Sequence, residues 1–218
     1  MIELSLLTEA PIQFAAAVLD GLRVSQEMTA FEQLAKAAEH YVDLYQWRPL
    51  SEIPDVQNAR RFFRAIGVDP TKRRPSSEAL LNRALKHKEL YSVNTLVDVG
   101  NWCSLEFLLP TCVYDAGRLR GPITVRLGTA GESYEALNHR EIDFADRLVL
   151  ADDQGPFGSP MTDSLRTATS PATRRSLVGI WAPADYEKKR LQEQIDLFAE
   201  RCIKMCGGKL VEVHLLPE

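Results

Sequence analysis

The 218-residue chain is 45% hydrophobic and 26% charged, with a formal net charge of −4, which is ordinary for a globular protein. No window approaches the ~18 uninterrupted apolar residues of a membrane span, and the N-terminus lacks the basic start of a signal peptide. Four cysteines in a chain of this length do not form a disulfide scaffold. We therefore expect a soluble, cytoplasmic protein with reduced thiols, built as one domain or as one domain with an extension.

The first half of the chain is predicted to be mostly helical. Apolar residues recur at helical spacing from Phe31 to Tyr45, and proline and glycine residues end the predicted elements. Asp55 is expected to cap one helix, and Ser76 or Ser77 another. In chain order the patterns predict a strand at 2–7, a short helix at 12–19, a strand at 22–24, and helices at 30–47, at 56–66 and from 76 onward.

The stretch from Val93 to Asp115 is long and mostly apolar, but its polar residues are regularly spaced. Asn94, Asp98 and Asn101 are separated by four and three positions, so they share one face of a helix that stops at Pro110. A helix that is apolar nearly all round is usually buried, and an unpaired buried polar group costs about 1–3 kcal/mol. These side chains therefore need partners, either elsewhere in the fold or in a ligand.

Short alternating segments replace the helices after Gly121-Pro122. They predict antiparallel strands, with a tight turn at Asp152–Pro156. The segment Gly158–Ser170 has no period and many small polar residues, which favours a binding loop. With the earlier helices, this pattern predicts an α+β fold with mixed or antiparallel sheet layers. The elements predicted here are a loop at 112–115, strands at 123–126, 133–137, 147–151 and 177–181, a helix starting at Pro183, and a strand at 210–216.

Basic residues are concentrated between Arg60 and Lys88. Nine Lys/Arg and two acidic residues lie there, a local charge of +7 in a chain whose net charge is −4. Arg73 and Arg74 directly precede a predicted helix N-terminus, where backbone N–H groups also favour anions. Such a stripe in an acidic protein either binds a phosphate backbone or forms the solvated face of a helix pair.

No strong catalytic or metal-binding motif is present. The sequence contains no nucleophile elbow, no P-loop and no His-Glu-x-x-His. Cys202 and Cys206 lie on a predicted amphipathic helix without a nearby histidine, so we expect core thiols. Each candidate group has a structural alternative, as a tie between loops, a packed thiol or a hairpin turn. The candidate groups are the polar line of Asn94, Asp98 and Asn101, the segment 112–115, the turn Asp152-Asp153 and the segment 163–167.

Several motifs follow one another in a specific order. They are Asn94-Thr95-Leu96-Val97-Asp98-Val99-Gly100-Asn101, Leu109-Pro110 with Tyr114-Asp115, Gly121-Pro122-Ile123 with Arg126, Gly131-Glu132, and Ala151-Asp152. Their order and spacing resemble the B-three/B-four domain of the phenylalanyl-tRNA synthetase beta chain. The resemblance runs from about Arg74 to Trp181. The Arg74–Leu80 segment, the pair Asp152-Asp153 and Asp163-Ser164-x-x-Thr167 look more like free-standing relatives of that module.

The resemblance implies a free-standing tRNA-binding protein that hydrolyses mischarged aminoacyl-tRNA in trans. It implies this module at residues 73–218 and an N-terminal extension at residues 1–72, packed together as one unit. The expected partners are the acceptor end of tRNA and its aminoacyl group or a free amino acid. No metal or cofactor is expected, because held donors can orient a water and stabilise the oxyanion. The synthetase's catalytic domain has no room here, so a complete aminoacyl-tRNA ligase is not expected.

The resemblance also implies roles for particular side chains. The residues concerned are Asp163, Ser164 and Thr167 as catalytic groups, Asn94, Asp98, Asn101, Cys112 and Tyr114 as substrate-binding groups, and Arg73, Arg74, Ser76, Lys86 and Lys88 as tRNA-binding groups. Two features differ from the family, because Cys112 replaces a histidine and Gly158–Ser164 replaces a loop of small residues. Deacylase activity therefore stays an open question, and the alternatives are a non-catalytic RNA-binding module and a sensor of free amino acids.

Overall fold

The computed structural model describes residues 2–217, and it confirms the predicted α+β class. Short 3-10 helices lie at Leu50–Glu52, Ala116–Arg118 and Leu165–Thr167. The strands and α-helices, in chain order, are β1 (Leu4–Leu7), β2 (Ile12–Asp20), α1 (Thr29–Tyr45), α2 (Val56–Ala65), α3 (Ser76–Leu85), α4 (Thr95–Phe107), β3 (Thr111–Asp115), β4 (Ile123–Leu127), β5 (Ser133–Glu135), β6 (Glu141–Asp143), β7 (Leu148–Asp152), β8 (Gly155–Gly158), β9 (Arg175–Pro183), α5 (Lys188–Cys206) and β10 (Lys209–Leu216).

The longer strands form two four-stranded sheets. The first sheet has the order β1-β4-β7-β8, with β1 parallel to β4 and the other neighbours antiparallel. The second sheet has the order β10-β2-β9-β3 and is antiparallel throughout. Strands β5 and β6 form a separate hairpin. Between residues 2 and 217, no helix is long and apolar enough to cross a membrane.

The second sheet is the middle layer of the fold. One of its faces packs against α4 and α5, through residues such as Ala15 and Leu19. Its other face packs against the first sheet and α2, through residues such as Phe14 and Trp181. Helices α1 and α3 pack on α4 in a third cluster. Strand β2, from the N-terminal part of the chain, lies between β10 and β9. The predicted division of the chain into residues 1–72 and 73–218 stays a prediction.

Residues 12–19, predicted to be a short helix, form strand β2 instead. Alternate side chains of this strand enter the two cores, so Ala15 faces the helices while Phe14 faces the first sheet. A strand that is buried on both faces reads as a continuous apolar run, and this one is rich in alanine, which favours helices. The predicted strand at 22–24 is also wrong. Leu22 and Val24 are buried in an extended connection outside the sheets.

Several boundaries differ from their predictions. The segment predicted as a loop at 112–115 belongs to strand β3, which pairs with β9. Pro183 ends β9, and the last helix begins at Lys188. Asp55 is the N-cap residue of α2, but its side chain makes no capping hydrogen bond, because its carboxylate binds Arg190 at 2.6 and 3.1 Å. Helix α3 begins at Ser76 without a capping side chain.

Candidate functional site

A cavity of about 200 Å³ lies between α4, β3 and the loop after β8. Together with Leu137, four segments that are distant in sequence supply its wall. The predicted site residues that line it are Asn94, Asn101, Cys112, Asp163 and Thr167. We call it the Asp163 cavity.

Asp163 is the carboxyl group of this cavity. Its Oδ1 accepts a hydrogen bond from the Tyr114 hydroxyl at 2.6 Å. Burial raises the pKa of Asp163 from 3.8 to about 7, although the Tyr114 hydrogen bond acts in the opposite direction. A carboxyl with a pKa near 7 takes up and releases protons at neutral pH, as a general base must.

Tyr114 fixes the position of the Asp163 carboxyl through its hydrogen bond. Its side chain is fully buried on β3, and its ring packs edge-on against Phe157 at 5.0 Å between centroids. A Cβ at Gly158 would lie 2.1 Å from the Tyr114 Oη, so only glycine allows this close approach. Burial raises the pKa of Tyr114 well above its usual value, so the phenol stays protonated and acts as a donor.

Cys112 lines the cavity as an uncharged group. It is buried on β3, and burial raises the pKa of its thiol well above the ordinary value. The thiolate, not the thiol, is the nucleophilic form of cysteine. Cys112 is therefore a packed thiol in this cavity rather than a nucleophile.

The polar line of α4 divides into structural and open positions. Asn94 is the N-cap of α4, because its Oδ1 accepts hydrogen bonds from the backbone N–H groups of Leu96 and Val97. Asp98 does not line the cavity; its carboxylate accepts hydrogen bonds from Ser92 Oγ and the Val93 N–H. Asn101 lines the cavity, and its amide makes no hydrogen bond with any residue between 2 and 217. The amide of Asn101 is thus free to bind a ligand.

Ser164 and Thr167 hold the loop that carries Asp163. Both are buried, and their hydroxyl oxygens are 3.0 Å apart. The Thr167 hydroxyl also reaches the Phe157 carbonyl at 3.3 Å. Ser164 lies outside the Asp163 cavity, in a separate surface cleft beside Arg166. These hydroxyl groups are therefore bound within the loop, Thr167 also lines the cavity, and the catalytic roles of Asp163, Ser164 and Thr167 stay predictions.

The same loop is tied to the β7–β8 hairpin by an ion pair. Arg166 Nη2 lies 2.9 Å from Asp152 Oδ1, and Arg166 Nη1 lies 3.0 Å from Oδ2. The Asp152 side chain is fully buried and also accepts the backbone N–H groups of Arg120 and Gln154. The acidic turn predicted at Asp152-Asp153 thus supports the loop. No sequence signal connected Asp152 to Arg166.

The basic residues between Arg60 and Lys88 divide into ion-paired arginines and exposed residues at the two ends of α3. Glu78 is buried, and it pairs with Arg60 at 2.7 Å and with Arg74 at 3.2 Å. Arg73 and Ser76 are exposed at the start of α3, whereas Lys86 and Lys88 are exposed beyond its end. A helix of ten residues is about 15 Å long, so the two groups are well separated.

The remaining lining residues were not predicted as site residues. Thr111 and Val113 reach the cavity because β3 pairs with β9, and Leu137 reaches it because its N–H binds the Asp163 carbonyl at 3.1 Å. In the described part of the chain, no three His, Cys, Asp or Glu side chains are grouped to hold a metal ion. The lining residues that sequence reasoning missed include Val93, Val97, Gly100, Thr111, Val113, Leu137, Ala168 and Thr169.

The fold and the site define an α+β domain with one raised-pKa carboxyl in a cavity between a helix and a sheet edge. The chain belongs to the B3/4 domain family, whose sequence profile matches residues 58–197. This membership confirms the resemblance seen in the sequence.

Similar proteins carry the name phenylalanine–tRNA ligase beta subunit. One from Neisseria meningitidis serogroup B is 30% identical over 96 residues, which cover 44% of this chain and 12% of that protein. One from Streptomyces avermitilis is 37% identical over 94 residues, covering 42% and 11%. One from Bartonella quintana is 26% identical over 190 residues, covering 76% and 21%. The chain thus spans 11–21% of the length of these relatives.

The fold also matches a solved structure. An N-terminal fragment of the phenylalanyl-tRNA synthetase beta subunit from Pyrococcus horikoshii superposes with a TM-score of 0.52. The match covers 100% of this chain and 55% of the fragment, at 11% sequence identity. It supports the fold alone.

Proposed function

We propose that this protein binds the acceptor end of tRNA and hydrolyses the aminoacyl ester of mischarged tRNA in trans. Membership of the B3/4 domain family and similarity to ligases named for tRNA support a tRNA-related role. The observation that carries the hydrolytic proposal is Asp163, a carboxyl with a pKa of about 7 that lines a cavity.

In the proposed reaction Asp163 acts as a general base. Its carboxylate removes a proton from a water molecule as the water oxygen attacks the ester carbonyl carbon. The amide of Asn101 donates to the oxyanion that forms, since this side chain has no other partner among residues 2–217. Collapse of the tetrahedral intermediate breaks the bond to the ribose oxygen. That oxygen takes the proton from Asp163, and the products are a free amino acid and a tRNA with a free hydroxyl.

The remaining polar groups have supporting roles in this proposal. Tyr114 donates to Oδ1 of Asp163 and so leaves Oδ2 for the water. Asn94 caps α4 and lines the cavity, so it fixes the helix position that presents Asn101. Arg73, Ser76, Lys86 and Lys88 are exposed and stay proposed tRNA contacts, while Arg74 has its charge shared with Glu78.

The test is deacylation of a panel of mischarged tRNAs by the wild-type protein and by D163N. We expect the wild-type protein to release the amino acid from at least one tRNA, and D163N to lose at least about a hundredfold in rate, the lower range for a general base. D196N is the matched control, because Asp196 is exposed on α5 and its side chain binds only Gln192 among residues 2–217. Release at the buffer rate for every tRNA, or equal rates for wild type and D163N, contradicts the proposal.

A second candidate function uses the same cavity without hydrolysis. The observation that favours it is again Asp163, because a carboxylate in a cavity of about 200 Å³ can pair with the ammonium group of a free amino acid. A sensor of this kind is stabilised thermally by its amino acid and shows no deacylation. A non-catalytic RNA-binding module shows steeply salt-dependent tRNA binding that survives D163N.

A further inference from the structure

A second and larger cleft, of about 340 Å³, lies between the segment after α2 and the loop after β8. Three cationic side chains line it, from Lys72, Arg73 and Arg147. Most other arginines of the basic stripe are bound, as Arg60 and Arg74 are to Glu78. Lys72, Arg73 and Arg147 take part in none of the ion pairs found between residues 2 and 217. Their charge is therefore available to a ligand.

The rest of the cleft wall is mixed. Ile66, Leu148 and Met161 provide an apolar side, and Asp69 and Asp146 add two carboxylates. Asp69 binds the hydroxyl of Thr71 at 2.7 Å, whereas Asp146 accepts no side-chain hydrogen bond among the described residues. Cations, an apolar surface and a free acceptor together fit a ligand that has phosphates, a flat base and a hydroxyl. A single strand of RNA carries all three, and the 2′-hydroxyl is the group that distinguishes it from DNA.

The cleft and the Asp163 cavity share one loop as a partition. Ser159, Pro160 and Met161 line the cleft, and Asp163 lines the cavity. The loop turns back sharply, because Ser159 N–H binds the Thr162 carbonyl at 3.1 Å and Gly158 pairs with Asp163 in a β-bridge. A strand of RNA that crosses this narrow loop therefore reaches both sites.

We propose that this cleft binds the single-stranded nucleotides that precede the aminoacylated end of tRNA. This inference rests on the proposed function, which places the aminoacylated end itself in the Asp163 cavity. Phosphates bind the cationic side chains of Lys72, Arg73 and Arg147, and the apolar side contacts a base. The carboxylate of Asp146 accepts a hydrogen bond from a ribose 2′-hydroxyl. Lys72 and Arg147 thereby join the tRNA contacts expected from the sequence. Arg147 directly precedes β7, far from the basic stripe in the chain.

The test is binding of an uncharged, fluorescently labelled RNA with the sequence of a tRNA 3′ end, measured by anisotropy at several salt concentrations. The triple variant K72S/R73S/R147S is expected to bind about tenfold more weakly, and its slope of log affinity against log salt is smaller by about 2, at 0.7 per phosphate contact. The control R48S/K204S/K209S loses the same charge at exposed positions outside the cleft and keeps the wild-type affinity and slope. Circular dichroism and thermal unfolding verify that both variants fold.

Equal losses in the two triple variants, or no loss in either, overturn the proposal. A DNA oligonucleotide of the same sequence is expected to bind several-fold more weakly to the wild-type protein, because it has no 2′-hydroxyl that can donate a hydrogen bond to Asp146. Equal binding of RNA and DNA overturns the assignment to RNA. The binding assay uses no ester, so cleft-dependent binding without deacylation refutes the proposed function and leaves the cleft assignment standing. If the wild-type protein deacylates tRNA but K72S/R73S/R147S binds the RNA as the wild type does, the cleft assignment is refuted and the proposed function stands.

Discussion

Replacement of Asp163 by asparagine separates the ionisation of this side chain from its shape. Asparagine has nearly the same size, and its amide oxygen still accepts the hydrogen bond of the Tyr114 hydroxyl. It never carries a charge. In the wild-type protein burial raises the pKa of Asp163 from 3.8 to about 7. Between these two pH values the folded protein holds a proton at Asp163 that the unfolded chain has released.

The free energy of unfolding therefore falls as pH rises through this interval. The slope is about 1.4 kcal/mol per pH unit while one proton separates the two states. Over the interval from 3.8 to about 7, the buried charge costs the folded state about 4 kcal/mol, and the cost is complete above pH 7. D163N removes this cost. We expect D163N to equal the wild type near pH 4 and to be more stable by up to about 4 kcal/mol at pH 8.

The assay is urea unfolding of both proteins at intervals from pH 4 to pH 8. D55N is the control of opposite sign, because the hydrogen bond from Arg190 lowers the pKa of Asp55. Asp55 stabilises the fold above its unfolded pKa, and this stabilisation is lost as pH falls through its lowered folded pKa. D55N is thus less stable than the wild type at pH 8. Parallel pH profiles for wild type and D163N refute the raised pKa of Asp163, and with it the argument that this carboxyl is tuned to act as a base near neutral pH.

Four further predictions follow from the same contacts. The deacylation rate rises with pH and levels off above about 7, because the base must be ionised, and a pH–rate profile checks this. R166L lowers the free energy of unfolding in urea by about 2–4 kcal/mol, because Asp152 keeps only backbone donors, and R166K recovers part of the loss. G158A lowers the free energy of unfolding, measured by thermal unfolding, by about 1–3 kcal/mol, because the added Cβ clashes with Tyr114 Oη. In the native protein at pH 8, Cys112 resists iodoacetamide, as mass spectrometry of the labelled peptides shows, because burial keeps its thiol protonated.

Helical spacing of apolar residues was sufficient to predict the helices α1 and α5, whereas strands β2 and β3 were predicted wrongly. Helix α1 was predicted close to its bounds, whereas α5 begins at Lys188, five residues after the predicted start at Pro183. Strand β2 is buried on both faces, so it has neither a helical nor an alternating period, and its three alanines favour the wrong structure. Strand β3 follows Pro110 and was mistaken for a loop, because its pairing with β9 depends on residues more than sixty positions away.

The site was predictable as a set of segments but not as a geometry. The resemblance pointed to α4, β3 and the loop around Asp163, and these three segments line one cavity. Spacing on the helix placed Asp98 beside Asn101, yet Asp98 turns to Ser92 and Val93. A difference of three positions moves a side chain about 60° around a helix, enough to leave a cavity edge. The raised pKa of Asp163 could not be predicted from the sequence, because it results from burial by packing that no local pattern encodes.

If Cys112 stands in place of a histidine, as the resemblance described in the sequence analysis implies, the proposed reaction depends on Asp163. A histidine at this position would supply a second group that titrates near neutral pH. The buried thiol of Cys112 stays neutral, and Tyr114 stays protonated, so neither accepts a proton from water. Among the residues that line the cavity, the proton can then pass only to Asp163. If this chain deacylates tRNA, its rate must follow the ionisation of that one carboxyl. D163N should then abolish the activity while it stabilises the fold, a combination that loss of folding does not produce.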